Sequence, residues 1–405
     1  MATLGMIPIA DRSSKFDSGA AFLLAQKSTA SEVVLLDSGA EVEVRCGNPY
    51  LVARAAGSAN ARDAHMLAHE AAQEGLDHLA INGKVILSIR NACEEYLVWW
   101  REDSEQVLRL DWTSTVSFTV GPVHATVIDK DGNPVPQPAL TKLIYNESLR
   151  YFRLSQVTED LFDAFRNMYL ALELLLEHVC PRLPRGEKES VWLRRALFEV
   201  NQRVPLGQAY RVTDSNMIDD IYNTLYKEIR CRLFHAKSGS RLMPQNLADR
   251  SLVSEGLDKL TSLFLLLVRE FLNARPGGGG VSYQGFELMT EPLMSGSIIL
   301  VSENNKPLDA SVTFTDPSFV DAVPMPARAA PGLSRPGLRT VLGSIAAVDL
   351  QKLRRIGGFG LTHSKRLIMS GTVDADLLYD GIDRVEVQVG MQLRNAQQPK
   401  DLFSM

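Results

Sequence analysis

The sequence predicts an α+β multidomain protein in which a central four-helix bundle is flanked by strand-rich N- and C-terminal segments. Three observations predict it. Apolar residues switch from short alternating runs to three- and four-residue steps near residue 153, and switch back after residue 275. Prolines and turn residues cut the helical stretch into four segments joined by short links. The run Arg275-Pro276-Gly277-Gly278-Gly279-Gly280 closes it and is the clearest linker in the chain. The domains expected are residues 1–150, strand-rich with one helix, 151–275, helical, and 276–405, a linker followed by strands.

A chain of 405 residues exceeds one ordinary core. Hydrophobic residues at 45% and charged residues at 22% describe a globular chain, not a disordered one. The net charge of -5 argues against coating nucleic acid by bulk charge and leaves room for a local basic patch. Cys46, Cys93, Cys180 and Cys231 show no CxxC spacing. They read as free thiols in a reducing cytoplasm, with no zinc site. The N-terminus lacks a basic stretch followed by a long apolar run. The most apolar stretch, Leu260 to Leu272, is too short to span a bilayer and holds Arg269 and Glu270. The expectation is a soluble, cytoplasmic protein without a membrane segment.

In the first domain, alternation around Val33 to Leu36 and Val42 to Val44 marks strands, as do Val85 to Ile89, Tyr96 to Trp100 and Val116 to Val120. Residues Asn60 to Leu79 form a helix, with Ala64, Leu67, Ala68, Ala71, Ala72 and Leu76 in helical steps. Asp129 to Pro134 is a turn. In the central domain the first helix is expected over Ser155 to Cys180, ended by Pro181 and Pro184, and the second over Glu187 to Val204. The third starts at Thr213 or Asp214, runs through Leu233, and stops at Ser238-Gly239; the fourth spans Pro244 to Ala274. Beyond the linker only strands are expected: 296–301, 311–314, 367–369 and 385–389. The proline-dense stretch 323–337 reads as a flexible excursion. The two strand-rich flanks can pack together as one sensor or docking body.

The third helix carries Ile229-Arg230-Cys231-Arg232-Leu233-Phe234-His235-Ala236-Lys237. Arg followed five residues later by His is a weak signal by itself. At the C-terminal end of the third helix of a bundle it resembles the Arg-x4-6-His motif of the HEPN superfamily. The flanking residues, and the acidic first helix Phe165 to Glu173, resemble its ApeA-like branch. The resemblance covers residues 150–275, and departs from many active members in having Cys231 after the motif Arg. It implies metal-independent, cofactor-free RNA cleavage through the RNA's own 2′-OH, leaving a 2′,3′-cyclic phosphate, plausible in antiviral defence. Arg230 and His235 are the implied catalytic pair. His235 suits proton transfer, with an ordinary pKa of about 6.5. Arg230 suits a phosphorane, because a guanidinium offers two donors at once and does not titrate. Arg232, Glu173 and Asn167 are the supporting residues.

Positions five apart lie about 140° apart on an ideal helix. Arg230 and His235 therefore converge only if the helix frays or two protomers share the site, and the family's habit of pairing HEPN domains supports a homodimer through the helical domain. Two other readings stay open. His235 can simply cap its helix, and the chain can be a non-catalytic scaffold or RNA-binding subunit of a larger nucleoprotein assembly.

Two further features stand apart. Residues 328–366 carry eight Lys or Arg and one acid, with Gly357-Gly358-Phe359-Gly360 among them. Read as a basic glycine-containing loop, Lys352, Arg354, Arg355, Lys365 and Arg366 fit an RNA backbone. His65 and His69 share a helix face near Glu70 and His78, but lack a third ligand and read as solvated surface. Trp99, Trp100 and Trp112 read as core.

Overall fold

The computed structural model describes residues 1–10, 17–90, 92, 94–117, 130, 142–158, 160–183, 186–210, 217–234, 241–244, 246–274, 281–305, 322–330 and 337–394. The chain forms two compact units, one built on Met1–Val116 with Val281–Leu393, the other within residues 117–280. His235, Thr213, Asp214, the 275–280 linker and the strand expected at 311–314 lie outside the described residues. So do most of the Asp129–Pro134 turn, the Ser238-Gly239 stop, Pro184, Cys93 and residues 118–120.

In the first unit the N-terminal strands are β1 (Ala2–Leu4), β2 (Ile7–Ala10), β3 (Ser18–Leu23), β4 (Glu32–Leu35), β5 (Glu41–Val44), β6 (Tyr50–Ala55), β7 (Glu95–Glu102) and β8 (Glu105–Ser117). The C-terminal strands are β9 (Ile298–Ser302), β10 (Val323–Ala329), β11 (Leu338–Ala346), β12 (Ile356–His363), β13 (Arg366–Leu378) and β14 (Arg384–Arg394). All join one 14-stranded sheet in the order β2-β1-β13-β12-β9-β10-β11-β14-β8-β7-β3-β6-β5-β4. The N- and C-terminal strands meet twice, at β1–β13 and at β14–β8. This overturns the expected architecture of a central bundle between strand-rich flanks: the flanks are one sheet. Pairing between strands hundreds of residues apart leaves no trace in local periodicity, which reports only which residues face inward.

Alternation does the local work. In β14, Val385, Val387 and Val389 point to one buried face while Glu386 and Gln388 point to the other. The apolar face forms a core with Leu97, Trp99, Leu108, Ile299, Val301 and Phe359. Contacts across this core close the sheet on itself: Trp112 meets Phe359 edge to face at 5.8 Å, and the Asp374 amide donates to the Tyr50 hydroxyl oxygen at 3.3 Å. Arg54 Nε donates to the Pro8 carbonyl at 2.9 Å. The opposite face of β3, β5, β6 and β7 carries α1 (Ala61–Ile81), whose Ala64, Ala68, Ala72 and Leu76 pack on Phe22, Val42, Val98 and Trp100. Asn60 caps α1, accepting from the Asp63 amide at 3.0 Å.

Gly357, Gly358 and Gly360 lie in strand β12 and not in a loop. They allow close strand approach: a Cβ on Gly357 would sit 2.2 Å from the Glu303 carbonyl oxygen, and one on Gly358 2.7 Å from that of Asn304. Residues 323–329 of the proline-dense stretch are strand β10, paired with β9 and β11. A helix not anticipated, Tyr283–Met294, precedes β9; Ser282 caps it, and Gly285 and Pro292 masked its periodicity.

The helical unit holds α2 (Ser148–Val157), α3 (Leu161–Val179), α4 (Glu189–Arg203), α5 (Gly207–Tyr210), α6 (Met217–Ile221), a π-helix (Tyr222–Arg230), α7 (Cys231–Phe234) and α8 (Leu247–Phe271). It is not the four-helix bundle expected. The first predicted helix is two helices, because Asp160 caps α3 by accepting from the Asp163 amide at 2.7 Å and so starts a new helix. The third is three conformations in succession. Phe165, Met168, Leu172, Leu197, Leu225, Ile229, Leu260 and Phe264 fill the shared core.

Strand β8 buries Asp111, whose Oδ1 accepts from Gln388 Nε2 of β14. Burial pushes its carboxyl up to about 7 from an ordinary 3.8; Arg109 opposes this and Glu386 reinforces it. The folded state therefore holds a proton that the unfolded chain releases between pH 4 and 7, so this residue's contribution to stability is lost as pH rises through that window. Asp111→Asn removes the ionisation and keeps the acceptor. Urea unfolding should show the variant gaining stability relative to wild type by a few kcal/mol between pH 4.5 and 8, at about 1.4 per pKa unit. A constant difference across that range would contradict the assignment.

Candidate functional site

The side chain of Arg230 is drawn into the helical unit and is only 16% exposed. Its Nη2 lies 2.8 Å from Glu189 Oε1. This is a close charge contact without good hydrogen-bond geometry, since Oε1 makes no hydrogen bond. Three rings surround the guanidinium: Phe234 at 5.1 Å, Tyr226 at 5.4 Å and Tyr169 at 5.7 Å from its carbon. All fall within the roughly 6 Å reach of cation–π attraction. Burial works against the Arg230 charge, yet Glu189 and Tyr169 together with Cys231 hold its pKa above the ordinary value. Burial pushes Tyr226 up to about 12, aided by the Glu189 charge.

The backbone explains the placement. Arg230 is the last residue of the π-helix, where the Cys231 amide donates five residues back to Tyr226. Such wide turns are uncommon and recur at functional sites. The chain then tightens into α7, which places Phe234 on Arg230 from the far side. From α3, Arg166 Nη2 donates to the Leu233 carbonyl at 3.3 Å and steadies the end of α7 just before His235. From α8, Gly256 admits Ile229, for a Cβ there would sit 2.2 Å from Ile229 Cδ1 and 3.2 Å from Phe165 Cε2. Glu189 is the first residue of α4, where the helix dipole favours a carboxylate.

The supporting residues are placed differently from one another. Glu173 shares a face of α3 with Tyr169, four residues away, but its Oε1 is tied to Arg182 at 2.6 Å. Burial and then the Glu189 charge raise its pKa; Arg182 and Arg230 oppose the rise. Arg232 approaches Asp249 at 3.9 Å. Asn167 is half-buried on α3, about 200° around the helix from Tyr169, so it looks away from the Arg230 cage. Glu189, Tyr169, Tyr226 and Phe234 escaped the sequence reading as site residues. The available signal was Tyr226 and Phe234, each four residues from Arg230.

A shallow polar groove of about 560 Å³ runs beside the same pair of helices, lined by Arg194, Asp219, Asp220, Asn223 and Lys227. Arg194 pairs with Asp219 at 2.6 Å. Arg194 and Lys227 both lie over the Tyr222 ring, at 4.1 and 5.3 Å.

Comparison with protein-family models, curated proteins and solved structures gives no match.

In the first unit the basic residues do not form one patch. Lys352, Arg354 and Arg355 precede β12 while Lys365 and Arg366 follow it, so about 25–30 Å of strand separates them. Arg355 pairs with Asp376, and Glu303 Oε1 accepts from the Arg354 amide at 2.6 Å. Ser364 and Lys365, with φ of 50° and 64°, make the tight turn into β13.

His65 and His69 are not solvated surface. His69 is fully buried, and the two rings stack at 6.4 Å between Phe22 and Tyr96. A ring nitrogen of His65 contacts the Ala92 carbonyl at 2.7 Å, and burial lowers its pKa. Among the described residues no group of three His, Cys, Asp or Glu could hold a metal ion, and no helix is long and apolar enough to cross a membrane.

The Gly256 contact gives a test of how tightly α8 supports the π-helix. Gly256→Ala gains about 1 kcal/mol of helix propensity but overpacks Ile229 and Phe165 at a cost of about 1–3 kcal/mol. Denaturant unfolding should show a net loss of stability. A gain would mean that Ile229 moves aside freely.

Proposed function

We propose that this protein is a cytoplasmic, metal-independent RNA-cleaving effector related to the HEPN ribonucleases, with Arg230 and His235 as its catalytic pair and a role in antiviral defence. One observation carries the reading. The Arg230 guanidinium is held by Glu189 and three rings, yet 16% of its side chain stays exposed, so part of a charge-compensated cation still reaches solvent. A phosphate oxygen meeting the exposed N–H groups accepts a charge-assisted bond. Arg230 thus binds the phosphoryl group and stabilises the charge that builds on it. His235, five residues on, takes the 2′-OH proton or delivers one to the leaving 5′-oxygen. A homodimer through the helical unit would bring two such pairs to one RNA. Lys352 and Lys365, exposed at opposite ends of β12, would hold the RNA at separate points.

A second reading is favoured by the Glu189 contact itself. An arginine already compensated by a carboxylate and three rings is also what a structural residue looks like, and the chain would then bind RNA or a partner without cutting.

Cleavage of labelled RNA in EDTA separates the two. On the catalytic reading, His235→Ala slows cleavage by about two to four powers of ten. Arg230→Lys restores little, because an ammonium lacks the planar fork. Wild-type rates in His235→Ala would refute the catalytic role.

A further inference from the structure

The groups that surround Arg230 are not equivalent. Tyr169, Tyr226 and Phe234 confine the guanidinium through their faces, which attract a cation but do not fix its rotation about the Nε–Cζ bond. Glu189 alone, among the described residues, brings a full opposite charge to a defined edge, Nη2. Glu189 is itself fixed by the backbone as the first residue of α4, preceded by Lys188 in an extended conformation. A guanidinium has five N–H donors, and 16% of the Arg230 side chain stays exposed, so one edge on Glu189 leaves donors for a substrate.

We infer that Glu189 is a positioning residue for Arg230: it holds the Nη2 edge so that the remaining donors face the scissile phosphate. The inference rests on the ribonuclease reading above and deepens it. It assigns no proton transfer to Glu189. Ground-state RNA binding draws on many contacts along the chain, whereas the orientation of Arg230 matters most when charge builds on the phosphorane. Losing the carboxylate therefore lowers kcat and leaves KM nearly unchanged. A misplacement of about 1 Å at such a group costs on the order of 10²-fold.

The test has two arms on the full-length protein. The first measures rotation of the Arg230 guanidinium by NMR of its Nε and Nη resonances in wild type and in Glu189→Gln, with Arg230→Lys used to assign the signals. Slow rotation in wild type and fast rotation in Glu189→Gln is expected. The second compares kcat and KM for a labelled RNA among wild type, Glu189→Gln and Glu189→Asp. A fall in kcat of about 10²-fold in Glu189→Gln at constant KM, with partial recovery in Glu189→Asp, is expected. Equal rotation in both proteins would overturn the inference. So would wild-type kcat in Glu189→Gln, and so would faster cleavage, which would make Glu189 an inhibitory mimic of phosphate. If wild type does not cleave RNA at all, the ribonuclease reading fails and takes the inference with it; a cleaving wild type with an unaffected variant overturns the inference alone.

Discussion

A guanidinium leaves water only where something else meets its charge and its hydrogen bonds, and the middle of the helical unit is organised around that constraint at Arg230. The π-helix, the short α7, the start of α4 and the middle of α3 each deliver one group to it. Tyr226 comes from the wide turn, Phe234 from the tight one, Glu189 from the helix start and Tyr169 from the buried face of α3. Arg166 and Gly256 act one step further out, the first on the Leu233 carbonyl and the second on Ile229. None of these groups needs a ligand to be in place. The charge is compensated within the chain, while among the described residues the buried Nε has no hydrogen-bond acceptor.

The sheet unit solves a related problem by another route. Its seam at β8–β14 buries Asp111, Glu386 and Gln388 on one face while valines fill the other. Arg109 meets Glu386 at 2.9 Å, and Arg384 reaches Glu102, Glu105 and Glu386. Polar pairing of this kind contributes less net stability than the apolar core behind it. It does penalise register slips, since a slip of one residue would strand each of these groups on the apolar face.

Local structure was legible in the sequence where one residue type has one physical meaning. Asn60 starts α1, alternation marks β14, the continuous run Tyr96 to Trp100 marks β7, and the apolar run Leu263 to Val268 marks α8. It failed where the same residues serve two purposes. Gly357 and Gly358 look the same in a loop as in a strand that needs close backbone approach. Tyr222, Leu225 and Ile229 have spacings that an α-helix and a π-helix both accommodate. The break between α2 and α3 turns on Asp160 preferring a cap over a helix interior, a choice of about 1 kcal/mol. Of the site, Arg230 was legible through its motif. Glu189 was not, because it is 41 residues earlier in the chain and meets Arg230 only through the packing of α4 on the π-helix.

If Arg230 and His235 act as proposed, the RNA's own 2′-hydroxyl is the nucleophile and no metal is needed. The most direct measurement is mass spectrometry of the RNA ends after incubation with purified protein in EDTA. Upstream fragments ending in 2′,3′-cyclic phosphate and downstream fragments beginning with a 5′-hydroxyl are expected. Fragments with 3′-hydroxyl and 5′-phosphate ends, or cleavage only after Mg²⁺ is added, would contradict it.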